Sequence, residues 1–510
     1  MNRKTVLSAA RMQAVDQATI EQIGIAQDVL MERAALAVVS HVVKHHPKRI
    51  LCVCGTGNNG GDAIAIARIL IMQGMDAEIY LCGDESKSKN SVRKQLDIFI
   101  KVGGKTRTDM NFAEYDMIVD GIFGVGLSRH VEGTCREVIE AVNYAKMQGS
   151  VVISVDIPSG IHTDTGAVMG TAVKADKTIS FAYYKPGHLL YPGAEYCGNV
   201  LVEDIGINLD AVNSVMHNVV SIMSNAHTLT DTDIFTLDRN APFKLPHRTR
   251  NGNKGTFGRV LVIAGSSTMY GACYLSALAV LRSGAGLVDI YSHEVNRATI
   301  QSKLPEGIFH SYEDDLTKLI KNVDCAVIGP GLSTDDSAVS LVKTVLENCD
   351  KPIVADADAL NCIACNSALA ELLKVHHQSD VILTPHPGEL SRLTGASVSE
   401  LKSDYITAVK KLALEFGCVV VGKDAGTVVS DGKTVYLNQT GNSGMATAGS
   451  GDVLSGIIGA FCAQGESAFD AAWKGVYLHG KAGDTAAEHS NAYSLLAGDI
   501  ADALKEVITE

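Results

Sequence analysis

The sequence predicts an α/β protein of two domains, and three observations carry that reading. Short, almost wholly apolar strand-like runs alternate with longer helical runs. The alternation stops near the middle of the chain and restarts in a different order. Several strand-like runs end in turns rich in glycine and in acid or amide side chains. Strands of a parallel sheet are covered on both faces, so they read as continuous apolar runs rather than alternating ones.

In the first block, helical patterns at Ser8–Ile23 and Gln27–His46 precede strand-like runs at Arg49–Cys54, Ala77–Cys82, Met117–Ile122, Ser150–Asp156 and Thr178–Tyr184. Helical runs at Asp62–Gln73, Ser91–Val102 and Thr134–Met147 separate them. In the second block, strands are expected at Val260–Ala264, Leu287–Tyr291, Cys325–Ile328, Ile353–Ala355 and Val381–Thr384. A cluster at Cys418–Gly422, Thr427–Ser430 and Thr434–Leu437 reads as antiparallel around the turn Asp431–Gly432. Helices dominate from Gly451 to Val507. The rhythm is lost between Leu209 and Asp231, which predicts domains of residues 1–219 and 220–510. The 510 residues fit two to four domains of ~100–200 residues each.

Composition narrows the function. Apolar residues make up 46% and charged residues 20%, enough for packed cores and unlike a disordered chain. The 48 glycines against 11 prolines point to tight turns rather than a low-complexity linker. A net charge of −13 argues against a nucleic-acid partner. A small phosphorylated ligand remains open, because backbone N–H groups bind phosphate without net positive charge. The 12 cysteines are scattered, and the lone C-x-x-C at Cys362 and Cys365 has no second pair to complete a zinc site. Met1–Ala10 has no apolar signal-like core, and no run reaches the ~18–20 apolar residues of a membrane span. A cytoplasmic protein with no membrane partner is expected.

Three turns in the first block carry chemistry. Gly55-Thr56-Gly57-Asn58-Asn59-Gly60-Gly61-Asp62 joins a strand to a helix, where glycines admit a phosphate and amide oxygens can ligate a cation or hold a sugar. It is not a strict G-x-G-x-x-G. Asp120-Gly121-Ile122-Phe123-Gly124-Val125-Gly126-Leu127 and Asp156-Ile157-Pro158-Ser159-Gly160 also follow strands. Each alone could be a structural turn. Three at one edge of one sheet point to a binding site.

These turns, with Lys185-Pro186-Gly187 and Tyr191-Pro192-Gly193, resemble the NAD(P)H-hydrate epimerase domain from about Ser8 to Asn208. The resemblance implies a Rossmann-like three-layer αβα sandwich. It implies that Asn58, Asn59, Gly60, Gly61 and Asp62, together with Gly124, Val125, Gly126, Leu127, Ser128, Arg129 and His130, contact the hydrated dinucleotide. Asn59, Asp120 and Ser159 would bind a potassium ion. Asp156 would bind substrate and is the candidate acid/base. Ala63 stands where the family often has glycine, and Asn208 where it has proline.

In the second block, Gly441-Asn442-Ser443-Gly444-Met445-Ala446-Thr447-Ala448-Gly449-Ser450-Gly451-Asp452 leads into a helix pattern at Val453–Ala463. A helix N-terminus behind small residues is an anion hole, and Asp452 lies where it can deprotonate an attacking hydroxyl. Alone, Gly-x-Gly-Asp is more often a helix cap. Its companions are Val421-Gly422-Lys423-Asp424-Ala425-Gly426-Thr427, Ile328-Gly329-Pro330-Gly331-Leu332, the acids in Val354–Leu360, and Thr384-Pro385-His386-Pro387-Gly388-Glu389. With Gly255-Thr256-Phe257-Gly258, Val262–Ser266, Gly271-Ala272 and Arg282–Leu287, they resemble the ADP-dependent NAD(P)H-hydrate dehydratases, a branch of the ribokinase-like enzymes, from about Leu229 to Val507.

That resemblance implies a ribokinase-like αβα domain in which Ala272, Gly331, His386 and Asp452 contact the hydrated dinucleotide, and Asp452 is the catalytic base. Lys423, Asp424, Ala425, Gly426, Thr427 and Gly451 would hold the adenine nucleotide. Ser443, Ala448 and Ser450 depart from the family's usual Pro, Gly and Thr, and Ala448 would add a methyl near the anion hole. Taken together, the resemblances imply repair of NADHX and NADPHX with ADP as co-substrate and magnesium, in a homo-oligomer. Residue by residue, the sequence leaves ADP or ATP open. It also leaves open a small-molecule kinase fused to a non-catalytic ligand-binding module.

Overall fold

The computed structural model describes residues 3–213, 233–242, 245, 248–376 and 381–508. They form two compact units, one within Lys4–Asp231 and one within Thr232–Glu510, the latter together with the first residues of the chain. The expected boundary, after residue 219, lies outside the described residues.

The first unit contains β1 (Lys4–Val6), β2 (Arg49–Cys54), β3 (Asp76–Leu81), β4 (Lys105–Arg107), β5 (Met117–Gly121), β6 (Val151–Val155), β7 (Lys177–Phe181) and β8 (Asn199–Glu203). Seven of these form a sheet in the order β4-β3-β2-β5-β6-β7-β8. Every pairing is parallel. Helices cover both faces, one face burying Ile64 and Leu70 and the other Val138 and Val142. The chain order reverses between β2 and β5, and open α/β sheets bind ligands in the crevice at such a reversal. Gly55 and Gly121 meet there, with Gly55 N–H donating to Gly121 O at 3.0 Å.

The sequence expectation misses β4 and β8, the two edge strands. β4 is three polar residues, as an edge exposed to solvent tolerates, and carries no apolar run to detect; β8 has only Val200–Val202 as an apolar centre, half-buried between Asn199 and Glu203. It also starts the following helix at Asp62, whereas the helix spans Asn58–Met72. Asn58 to Asp62 are its first turn and not a free loop.

The glycines of this turn serve close packing. A Cβ on Gly55 would lie 1.9 Å from Ile122 O, and one on Gly60 would lie 1.9 Å from Gly55 O. Both obstacles are backbone, so no side chain can swing clear. Gly55→Ala is expected to destabilise the first unit by about 3 kcal/mol. An unchanged melting transition of that unit would refute the packing argument.

The second unit holds β9 (Asp233–Thr236), β10 (Arg259–Ile263), β11 (Leu287–Ser292), β12 (Ile308–Ser311), β13 (Cys325–Ile328), β14 (Ile353–Ala355), β15 (Val381–Leu383), β16 (Val419–Gly422), β17 (Val428–Ser430) and β18 (Thr434–Leu437). These run in the order β9-β18-β17-β16-β15-β14-β13-β10-β11-β12. The pairs β16–β17 and β17–β18 are antiparallel, as expected around Asp431–Gly432. The other pairs are parallel. Two strands escape the sequence reading, β9 and β12.

Here too the order reverses, between β10 and β13. The helices Tyr270–Arg282, Ser450–Ala463, Ala468–His489 and Ala497–Val507 pack together and bury Leu454, Ile457, Phe461, Trp473 and Tyr477. Gly456 lets Ser450–Ala463 rest on its neighbour, since a Cβ there would lie 2.3 Å from Ser276 O. That contact fixes where the N-terminus of the helix points. No helix among the described residues is long and apolar enough to cross a membrane.

Candidate active sites

The reversal in the first sheet opens into a cavity of about 1220 Å³. Asn58, Asn59, Asp62, Asp156 and every residue from Gly124 to His130 line it. Gly60 and Gly61 do not. They are buried behind the helix turn, where a Cβ on Gly61 would press on the Met31 side chain at 2.8 Å.

Beneath the cavity, Asp120 is fully buried. Its carboxylate accepts from Ser154 Oγ at 2.8 Å, Ser159 N at 2.9 Å, Ser159 Oγ at 2.5 Å and Ile122 N at 3.3 Å. Burial pushes this carboxyl up from its ordinary value, and the Ser159 hydrogen bonds oppose the shift. Asn59 Nδ2 donates to Phe123 O at 2.9 Å, and Phe123 N donates to Ser159 Oγ at 2.8 Å. The structure therefore gathers Asn59, Asp120 and Ser159 around Phe123. A Cβ on Gly124 would come within 3.3 Å of Asn59 Oδ1, so glycine keeps that oxygen uncrowded. A set made only of carboxylate, amide, hydroxyl and carbonyl oxygens suits a hard cation such as potassium.

Asp156 follows β6 with φ 64°, a conformation costly outside glycine and most often found at functional sites. Its Oδ1 accepts from the Lys185 ammonium and from Phe181 N at 3.0 Å. Lys185 is fully buried and also donates to Ser180 Oγ at 3.0 Å and Phe181 O at 3.1 Å. His188 Nε2 lies 2.8 Å from Asp156 O. Burial, then the Lys185 charge, lowers His188 to about 4, so the ring is neutral and donates.

In the second unit the crevice lies between the loops after β10 and β13. Gly265 N donates to Pro330 O at 2.9 Å and Ser266 N to Gly331 O at 2.6 Å. Gly331 has φ 61°, and a Cβ on it would be 3.0 Å from Ala272 Cβ. Ala272 and Gly331, expected from sequence to share a ligand, are thus neighbours.

Just after β16 a lysine sits among carboxylates. Lys423 Nζ lies 2.6 Å from Asp356 Oδ1 and 3.9 Å from Glu389 Oε2. Burial alone would lower Lys423, but Asp356 and Glu389 reverse this and it is raised. Burial lifts Glu389 to about 7, against the pull of Lys423. Gly451 abuts this group, since a Cβ there would be 3.3 Å from Lys423 Nζ. Asp452, in the first turn of Ser450–Ala463, is raised to about 7 by burial and then by Asp356, with Lys423 opposing. A carboxyl poised near neutral pH at a helix N-terminus is suited to take a proton.

His386 occupies a helix terminus and not a free turn. It caps Pro387–Thr394, accepting from Gly388 N through Nδ1 at 2.9 Å, while Glu389 accepts from His386 N at 2.8 Å. Its ring stays half exposed, and burial followed by the Lys423 charge lowers its pKa. Asp424 to Thr427 form the turn between β16 and β17. Asp424 pairs with Lys402 at 2.9 Å, and Thr427 Oγ1 donates to Asp424 O at 3.1 Å. Ala448 is exposed, so its extra methyl meets solvent and does not crowd the turn. Ser450 is the departure that reaches the interior, with Oγ 3.4 Å from His479 Nε2.

The family model described as NAD(P)H-hydrate dehydratase matches residues 260–506, and the one described as YjeF-related protein N-terminus matches residues 27–187. The bifunctional NAD(P)H-hydrate repair enzyme Nnr of Moorella thermoacetica is 36% identical over 99% of this chain and 96% of its own length. The chain belongs to the bifunctional NAD(P)H-hydrate repair enzymes.

The Escherichia coli member of this family is 32% identical over 99% of the chain and 94% of its own length. The second unit is ribokinase-like in fold. A ribokinase-like superfamily protein from Enterococcus faecalis superposes with a TM-score of 0.50 and 27% identity, covering 55% of this chain and 96% of that one.

Three site residues of this family member escape the sequence reading. Lys185 stood in a recognised motif without a role, and only its burial against Asp156 shows one. Glu389 was noted beside His386, but the fold brings it to Lys423. Asp16 lies within the helical pattern Ser8–Ile23, where no local signal marks it, and in the structure it sits on the helix Ala9–Ala18. It lines the first cavity, and burial, then Asp156, raises it to about 6.

Proposed function

We propose that the first unit interconverts the R and S epimers of NADHX and NADPHX, and that the second dehydrates the S epimer at the expense of ADP, releasing AMP and phosphate. Asp452 carries the reading. It stands at a helix N-terminus beside Gly451 and Lys423, with a proton affinity suited to deprotonating the ring hydroxyl. Phosphorylation turns hydroxide, a poor leaving group, into phosphate, a good one. Elimination then restores the dihydronicotinamide. The N-terminal N–H groups of the helix would stabilise the transferring phosphoryl group.

In this reading Gly451 and the Lys423–Thr427 turn hold the nucleotide, while Ala272, Gly331 and His386 hold the hydrated dinucleotide. Magnesium would accompany the nucleotide phosphates. It commonly binds there through phosphate and water with few protein ligands, and no cluster of three or more His, Cys, Asp or Glu suited to a metal occurs among the described residues. Asn59, Asp120 and Ser159 would hold potassium, which would screen substrate phosphates close to Asp120. Cytoplasmic location and homo-oligomeric assembly belong to the same proposal. The helix Gln27–Val42, which leaves Val29 and Leu36 half exposed, is the candidate contact between copies.

Purified protein given mixed NADHX epimers and ADP is expected to regenerate the NADH absorbance from both epimers and to release free phosphate. No recovery with ADP or ATP would sink the proposal. A stable phosphorylated product would favour a small-molecule kinase instead. Recovery of the S epimer alone, at the rate of spontaneous exchange, would make the first unit a binding module.

A further inference from the structure

The first cavity is lined by three carboxyls in unlike surroundings. Asp156 is engaged by the Lys185 ammonium and by Phe181 N–H. Asp16 and Asp62 line the same cavity, from the helices Ala9–Ala18 and Asn58–Met72. Among the described residues neither has a hydrogen-bond or ion-pair partner, and each is acted on by Asp156. An enzyme that needs both an acid and a charge stabiliser sorts carboxyls in this way.

We propose that Asp16, working with Asp62, moves the proton that inverts the hydroxyl-bearing ring carbon, while Asp156, paired with the Lys185 ammonium, stabilises the cation formed on the way. The proposal rests on the epimerase reading of this unit.

The chemistry follows from where water adds. The ring double bond is an enamine, so the hydroxyl settles on the carbon next to the ring nitrogen. When the hydroxyl is protonated, the C–O bond breaks with its electron pair on oxygen. The nitrogen lone pair forms C=N, and water departs from a planar cation. Water then returns to the opposite face and gives its surplus proton to a carboxylate. One C–O bond breaks and one forms, protons balance, and no oxidant is needed.

Such a step needs a carboxyl that keeps its proton near neutral pH. Burial raises Asp62 well above its ordinary value, with Asp156 and then Asp16 adding. Asp16 reaches about 6 through burial and Asp156, against the pull of Lys185. The charged groups acting on Asp16 are Asp156, which raises it, and Lys185, which lowers it, and Asp16 in turn raises Asp62. Asp156, held by Lys185 and Phe181 N–H at the cavity wall, is well placed to favour the cation.

The test uses the full-length chain without ADP, following epimer exchange in water enriched in oxygen-18. Each enzymatic inversion is expected to place one label on the ring carbon. Inversion with the original oxygen retained would overturn the mechanism. Asp16→Asn is expected to slow exchange by about 10²–10⁴-fold, with substrate affinity unchanged by calorimetric titration. Asp16→Glu should restore part of the rate. Wild-type exchange should fall as pH rises above about 6, and Asp16→Asn should lose that dependence. Full activity in Asp16→Asn, or a loss matched by weaker binding or a lower melting temperature, would assign Asp16 a structural role and overturn the proposal. With ADP added, dehydration of pure S epimer by the same variants checks the other unit. A wild type no faster than buffer would instead overturn the epimerase reading itself.

Discussion

Asp452→Asn is expected to lower dehydration of the S epimer by about 10³-fold while leaving epimer exchange at the wild-type rate. The asparagine keeps the shape of the helix turn and removes only the ability to take a proton. Because burial and Asp356 raise Asp452 to about 7, wild-type dehydration should climb with pH up to about 7 and then level off. The same shift has a cost in stability. In the unfolded chain an aspartate releases its proton near 3.8, whereas Asp452 holds it to about 7 when folded. The advantage of the folded state is complete below the lower value and is lost as pH rises through this window.

At pH 8 wild type therefore carries the burden of a buried charge, and Asp452→Asn should be more stable by about 1–3 kcal/mol. Below about pH 4 the two should converge. Urea melts of the second unit at both pH values measure the difference. Equal stability at pH 8 would show that Lys423 fully compensates the charge. Loss of both activities without unfolding would break the division of labour between the units.

Lys185→Met should have the largest effect on stability. The lysine is fully buried, and its ammonium is satisfied by Asp156, Ser180 and Phe181. Methionine fills a similar volume but leaves Asp156 beside buried polar groups with no cation. Removing one member of a buried ion pair costs about 3–5 kcal/mol, which for a unit of this size lowers its melting temperature by about 10 °C. The double variant Lys185→Met with Asp156→Asn should recover much of that loss, since no uncompensated charge remains. Epimerisation should stay low in the double variant, because the Asp156 carboxylate at the ring is gone. A single variant that melts like wild type would mean that water already screens the pair.

How much of this was legible in the sequence depends on the range of the signal. Inner strands such as Ile353–Ala355 and Cys325–Ile328 match expectation residue for residue, because burial on both faces forces unbroken apolar runs. Edge strands such as Lys105–Arg107 escape it, since an edge faces solvent on one side and tolerates charge. The glycine-rich turns were visible, but the work of each glycine was not. Gly60 was expected to meet a ligand, and its neighbour in the fold is the backbone of Gly55.

The turn before Asp452 shows the same division. From the sequence alone come the two α/β blocks, the helix pattern at Val453–Ala463 with an acid at its start, and the strand-end loops that resemble a known family. These depend on apolar periodicity and on local backbone chemistry, both written in neighbouring residues. Only the tertiary structure decides that Lys423 just after β16, Asp356 just after β14 and Glu389 from a capped helix meet beside Asp452. It likewise brings Asp16 and Lys185 to Asp156, across 140 and 29 positions of sequence. Charge interactions act through space and depend on burial. The proton affinities on which the proposed chemistry rests are therefore set by the packing of distant segments, and no single stretch of the chain encodes them.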